Sequence, residues 1–244
     1  FSGVDARAAD TLSADGRVPL TFDVQERKRH AITVSGLYST DLGISLSTTW
    51  SHRNLFGNGE QLNLTAAGTG LGNASAGLGY NLAAQYIQPW FFAPDQALEL
   101  DLSGVKQQLD AFDQTAQTLA GYVRRKFSPL WSGRAGLSLT HDQVTQEGST
   151  RLYQLIGLPV SVTYDSSGSA GALADPTHGL RASLLVTPTQ SLGASNISFL
   201  PVQLSGASYF DISGDGRSVL ALRALVASIL GGSNLSVPPD QRLY

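Results

Sequence analysis

From Leu42 to Ser51 the chain alternates without a break. Leu42, Ile44, Leu46, Thr48 and Trp50 fall on one side, and Gly43, Ser45, Ser47, Thr49 and Ser51 on the other. A period of two is the mark of a β-strand with one apolar face. After Asn54-Leu-Phe-Gly-Asn-Gly59, where Gly57 and Gly59 permit positive φ, alternation resumes with Leu62, Leu64 and Ala66 against Gln61, Asn63 and Thr65. The unit is a hairpin, and the rest of the chain repeats it. Strands are predicted over 30–38, 42–51, 61–70, 74–88, 97–108, 115–126, 134–142, 152–165, 180–189, 196–210 and 218–230, about eleven in all, with ends set to within two to four residues. No helix of useful length fits between them.

The length of these segments narrows the fold. A strand of about 10 residues rises about 33 Å, and tilted near 40° it spans roughly the 25 Å apolar band of an outer-membrane barrel. Strands of soluble sandwiches are usually nearer five or six residues. The apolar face looks inward in a sandwich and outward in a lipid-facing barrel, and alternation alone does not separate the two. The connections do. Every second turn, at 54–59, 89–95, 127–133, 166–179 and 213–217, has aromatic residues beside it: Trp50, Phe56, Trp90, Phe91, Phe92, Phe127, Trp131, Tyr164, Tyr209 and Phe210. The other turns are aromatic-poor, with Tyr38 and Phe112 the main exceptions. Indole and phenol rings favour the head-group level of a bilayer, so this segregation is what a membrane-interface girdle produces. A sandwich core gives no reason for it.

Composition agrees. Only 14% of residues are charged, against about 25% in a typical soluble domain, and there are 26 glycines. No window approaches the 18 or so consecutive apolar residues of a transmembrane helix, so membrane residence must be by barrel. A net charge of -3 leaves no footprint for nucleic acid, and the absence of cysteine excludes a disulfide framework and thiolate metal sites. With neither a start methionine nor a signal peptide, residue 1 is not expected to be the natural start.

Residues 1–26 differ in pattern from the rest of the chain. Leu20, Phe22 and Val24 alternate with Thr21 and Asp23, as in the closing strand of a small soluble domain. The cluster Arg27-Lys28-Arg29 marks the boundary. It is either a solvated linker or a stretch near membrane head groups.

The segments Val24–His30, Gly36-Leu-Tyr-Ser-Thr-Asp-Leu-Gly43 and Trp50-Ser-His-Arg-Asn-Leu-Phe-Gly-Asn-Gly59 together resemble the outer-membrane assembly-factor superfamily, in which periplasmic POTRA domains precede a sixteen-stranded barrel. TamA-type translocation and assembly proteins are the nearest in pattern, with BamA-type insertases and two-partner secretion translocators next. Tyr164-Asp165 followed by Asp175-Pro-Thr-His-Gly-Leu-Arg181 is similar to the family's turn between barrel strands eight and nine. The tail Pro238-Pro-Asp-Gln-Arg-Leu-Tyr244 resembles the approach to the family's Val-Arg-Gly-Tyr-like loop motif without containing it. The resemblance implies an all-β, antiparallel, up-and-down transmembrane barrel with about eleven of sixteen strands present. It places residues 1–27 in the last POTRA domain and residues 28–244 in the barrel. It further implies the outer membrane of a Gram-negative bacterium, with the POTRA part periplasmic. The implied partners are client outer-membrane or secreted proteins, outer-membrane lipid and a periplasm-spanning or inner-membrane partner reached through the POTRA domains; no nucleic acid is implied. In that family the first barrel strand pairs poorly with the last, so His30, Ile32, Val34, Gly36 and Tyr38 are the expected lateral gate, offering a free edge to a client strand. The alternatives are a passive porin-like channel, and a soluble β-sandwich binding module.

Catalytic and cofactor chemistry finds little support. His30, His52, His141 and His178 lie in separate strands or turns with no zinc spacing. Gly68-Thr-Gly-Leu-Gly72 has no following helix to present amides to phosphate and reads as a hairpin loop. Asp211-Ile-Ser-Gly-Asp-Gly216 begins like a calcium loop, but its twelfth position is Leu222, so a tight turn is expected. Asp165 and Asp175 flank a loop and are explained by turn chemistry. The expectation is a non-enzyme with no cofactor, metal or catalytic residue.

Overall fold

The computed structural model describes residues 3–9, 11, 15–25, 28–39, 43–72, 77–109, 112–168, 176–233 and 236–242. Arg27, Asp41, Leu42, the start of the strand predicted from residue 74, Asp175 and Tyr244 lie outside the described residues.

Two strands, β1 (Gly3–Ala8) and β2 (Leu20–Gln25), pair only with each other, Val4 opposite Val24 and Ala6 opposite Phe22. Every other described strand belongs to one antiparallel sheet. Its strands are β3 (His30–Ser39), β4 (Gly43–Arg53), β5 (Gln61–Leu71), β6 (Gly79–Pro89), β7 (Gln96–Gln108), β8 (Asp113–Lys126) and β9 (Trp131–Gln146). They continue with β10 (Ser149–Gly157), β11 (Val160–Asp165), β12 (Gly179–Val186), β13 (Thr189–Gly193), β14 (Ile197–Asp211) and β15 (Val219–Leu230). From β3 to β9 each strand pairs with the next in sequence, the up-and-down order of a barrel wall. The helical content among the described residues is one 3-10 turn, Pro239–Gln241.

Two segments expected as single strands are each divided. The path over 152–165 is β10 and β11, and that over 180–189 is β12 with the start of β13. The register explains why. Gly157 pairs with Ser138 and Val160 with Ala135, so the same strand resumes beside β9 without a slip. What is missing is hydrogen bonding at prolines, which have no N–H to donate. Gly136 donates to Pro159 O (3.0 Å), Leu158 to Pro188 O (2.9 Å) and Thr187 to Pro201 O (3.0 Å), and no return bond is possible at any of the three. Thr189 Oγ1 supplies a substitute, donating to Thr187 O at 2.9 Å. The eleven strand paths therefore stand, with a diagonal gap in the ladder where three prolines meet. β5 runs one residue past the strand expected over 61–70, so most of Gly68-Thr-Gly-Leu-Gly72, read from its glycines as a hairpin loop, lies within the strand.

The outward face is apolar. Leu137 (46% exposed), Leu139 (43%), Val160 (45%) and Val162 (39%) are open, whereas their neighbours Ser138 and Thr163 lie on the opposite face. On that opposite face Ser138 Oγ reaches Gly157 O, and the Thr163 and Ser183 hydroxyls meet at 3.2 Å. The fully buried side chains belong to this inner face: Asp142, Val144 and Ser191, with Tyr153, Leu155 and Phe199 close behind. The chain after β15 folds back over it, burying Val237, Pro238 and Pro239 and bringing the Asp240 carboxyl to that of Asp142. At about 3.3 Å per residue the 16-residue β9 is about 53 Å long, more than a tilted strand needs to cross a bilayer. Its outward residues change accordingly from Trp131, Ala135, Leu137 and Leu139 to His141, Gln143 and Thr145.

Candidate functional site: the first strand and the aromatic rim

β3 pairs with β4 alone among the described residues, from His30 opposite His52 to Ser39 opposite Gly43. Alternation puts His30, Ile32, Val34, Gly36 and Tyr38 on one face, and that face is bare: Ile32 and Val34 are each 71% exposed and Tyr38 73%. Gly36 leaves a gap in this row, for a Cβ there would meet only Leu46 Cδ2, at 3.5 Å. Among the described residues β15, at the other end of the sheet, likewise has a single partner, β14, so an unpaired edge is common to both ends.

The rim is built from the alternate turns. Phe56 stands at the tip of the turn after β4, 72% exposed, with its ring 6.4 Å from Tyr86. Asn54 (φ 71°), Gly57 (φ 107°) and Gly59 (φ 84°) supply the left-handed positions of that turn. Glu60, a buried carboxylate, accepts the amides of Phe56 (3.2 Å) and Asn58 (3.0 Å) and the Asn58 side chain, while Asn54 Oδ1 accepts from Gly59 N. Burial works to raise the Glu60 carboxyl, and these donors outweigh it, holding the group below its ordinary value. In the next turn Trp90 (67%) and Phe92 (90%) project outward at positive φ and Phe91 tucks against Phe92, 4.3 Å between centroids. Phe127 covers Gly133, which has no room for a Cβ because the ring edge would be 2.7 Å away. Trp131 and Tyr164 meet on the outward face at 5.1 Å. Trp50 faces outward at the foot of β4, and Phe210 (50%) is outward on β14. Tyr209 precedes it by one residue and so occupies the inner face, apart from the other nine.

Several groupings become visible only in three dimensions. His30 and His52 are cross-strand neighbours, ring centroids 4.5 Å apart, with Trp50 stacked on His30 at 5.6 Å. On the inner face Glu99, 5% exposed, bridges Arg124 (3.2 Å) and Arg134 (3.4 Å); Arg134 also reaches Asp101 at 3.3 Å and lies 3.4 Å above the Tyr122 ring. Gln107 donates to Gln114 (2.7 Å) and Gln114 to Asp142 (3.1 Å). The carboxylates suspected of metal or catalytic roles are occupied by turn and strand-end bonds. Asp165 is held by Arg181 and Ser167, and Asp211 accepts the amides of Ser213, Gly214 and Gly216.

The sequence profile of the Omp85 superfamily domain matches residues 54–244. Among solved structures, that of BamA from Haemophilus ducreyi lacking POTRA domains 1–3 is similar in fold, with a TM-score of 0.72 at 16% identity over 99% of this chain. The match takes in 48% of that chain, so this protein spans about half its length. No functionally curated protein matches the sequence.

Proposed function

The chain belongs to the Omp85 superfamily, and from that premise we propose that it is the leading part of an outer-membrane assembly or translocation factor of TamA type, working through a lateral gate at β3. Residues 28–244 contribute the first eleven strands of the barrel in a Gram-negative outer membrane, and residues 1–27 end a periplasmic POTRA domain. That β1 and β2 form their own small sheet is in keeping with this division. The protein does no covalent chemistry. Its partners are client outer-membrane or secreted chains, and a periplasm-spanning or inner-membrane protein met by the POTRA domains.

The observation that carries the reading is the character of β3: a glycine within the strand and a bare apolar row of Ile32, Val34 and Tyr38, in the strand that the superfamily reading sets at the edge of the barrel seam. A client strand adds to such an edge by main-chain hydrogen bonds, with the next client residues following into the membrane. A passive porin-like channel fits less well, because the segment with Val237, Pro238 and Pro239 fills part of the inner face. In the full-length protein, cysteine pairs tying β3 to the final barrel strand should block client insertion under oxidising conditions and release it on reduction. Unimpaired insertion with the seam locked refutes the gate.

A further inference from the structure

The foot of β3 holds a set of side chains that the gate does not use. His30, His52 and Trp50 form one ring cluster on the outward face, at the aromatic-rich rim. His52 Nδ1 is closed off from solvent within the cluster and has no hydrogen-bond partner there, whereas His30 is exposed. Lys28, two residues before His30, is exposed, and Arg29 and Arg53 adjoin the cluster, Arg53 N donating to Arg29 O at 2.7 Å. Among the described residues no carboxylate forms an ion pair with Lys28, Arg29 or Arg53, whereas Arg124, Arg134 and Arg181 are each paired. Glu60, the acidic group of the adjoining turn, is taken up by the amides of Phe56 and Asn58.

An exposed cation without a protein counter-ion, an exposed imidazole and an indole at head-group depth together make a receptor for a phosphodiester whose acyl chains lie along the apolar wall. The phosphate accepts charge-assisted hydrogen bonds, and the indole packs at the glycerol level. We propose that Lys28, His30 and Trp50, with His52 packed against the rings of the latter two, bind the head group of an anionic phospholipid in the leaflet at the aromatic rim, holding one lipid against the foot of the first strand. This rests on the barrel's place in the membrane and not on the gate.

The full-length protein in phosphatidylcholine bilayers containing a minor fraction of brominated phosphatidylglycerol tests it. The Trp50 emission is isolated as the difference between the protein and its Trp50→Phe variant. Brominated phosphatidylglycerol should quench that difference about fivefold more strongly, mole for mole, than brominated phosphatidylcholine, the factor one near-surface cation is worth. The combined Lys28→Gln, His30→Gln, His52→Gln variant should lose the preference while keeping heat-modifiable mobility on gels. Should that variant fail to fold, Lys28→Gln alone, at an exposed position, should still weaken the preference. Equal quenching by the two lipids overturns the proposal, as does a preference that survives these variants. Added inorganic phosphate should leave the preference intact, and its abolition by phosphate would show that a free anion and not a lipid is the ligand. Locking the seam leaves this measurement unchanged, so the two readings fail separately.

Discussion

β8 and β9 in the middle of the wall and β3 at its edge are strands of one kind, built from the same alternation and pairing antiparallel, yet they are held very differently. β8 and β9 share a register from Asp113–Thr145 to Lys126–Ser132, and their inner face adds side-chain bonds at every level. The Gln107–Gln114–Asp142 chain lies near one end, the paired Thr118 and Thr140 hydroxyls in the middle, and Glu99 with its two arginines near the other. β3 has ten residues, a glycine among them, and a ring cluster at its foot. Ladder bonds alone contribute modestly, because each replaces a bond to water. The difference between the wall and the proposed gate therefore lies in what the inner side chains add, and each end of the comparison can be tested by substitution.

The largest effect is expected at Gly136 in β9. A Cβ there would stand 2.2 Å from Gly121 O and 2.5 Å from Tyr122 Cδ1, so both the β8 backbone and the Tyr122 ring, itself clamped beneath Arg134, must shift. Gly136→Val should cost about 3 kcal/mol, the upper part of the usual range for overpacking. The readout is the urea midpoint for the folded, heat-modifiable form of the full-length protein. A midpoint equal to that of the parent would mean that β8 and β9 separate as readily as the edge does, and the contrast would dissolve.

Glu99→Ala comes next. It removes the buried carboxylate between Arg124 and Arg134, but both arginines keep access to water, with side chains 53% and 36% exposed. The loss should be about 1–2 kcal/mol, smaller than for a fully buried pair. A cycle with Arg134→Ala should show coupling of about 1 kcal/mol, and additive effects would leave the bridge without a structural role.

Much of this contrast was legible in the alternation, and the rest was hidden for identifiable reasons. Leu158 and Val160 keep period two across Pro159, so the strand path was evident, whereas the missing N–H groups were apparent only once Pro159, Pro188 and Pro201 lined up across three strand paths. The gathering of aromatics beside alternate turns could be read because its members are close in sequence. Tyr209 and Phe210, being adjacent, could not both face lipid, a signal present in the sequence. Glu60 was discoverable as well, since a carboxylate closing Asn54–Gly59 has free amides in reach. His30 with His52, Glu99 with Arg134 and Gln114 with Asp142 depend on register across whole hairpins, which local pattern does not specify to the residue. Asp240 over Asp142 depends on a chain reversal after β15 that no periodicity encodes.

The smallest substitution bears most directly on function. At Gly36 in β3 a Cβ would make an ordinary 3.5 Å contact with Leu46 Cδ2 and nothing closer. An alanine therefore fits, restricts the unfolded chain and should strengthen the β3–β4 pairing by about 0.5 kcal/mol. In a strand that only completes a wall, the gain would appear in the urea midpoint and nowhere else. In a gate that must exchange its edge contacts for a client's, the same gain hardens the resting state. A barrier raised by about 0.5 kcal/mol slows insertion about twofold. Gly36→Ala should thus raise stability slightly and slow client insertion together, an opposition that damage to folding cannot mimic because damage lowers both. Unchanged insertion at raised stability would place the working element elsewhere along the barrel and leave β3 as an edge.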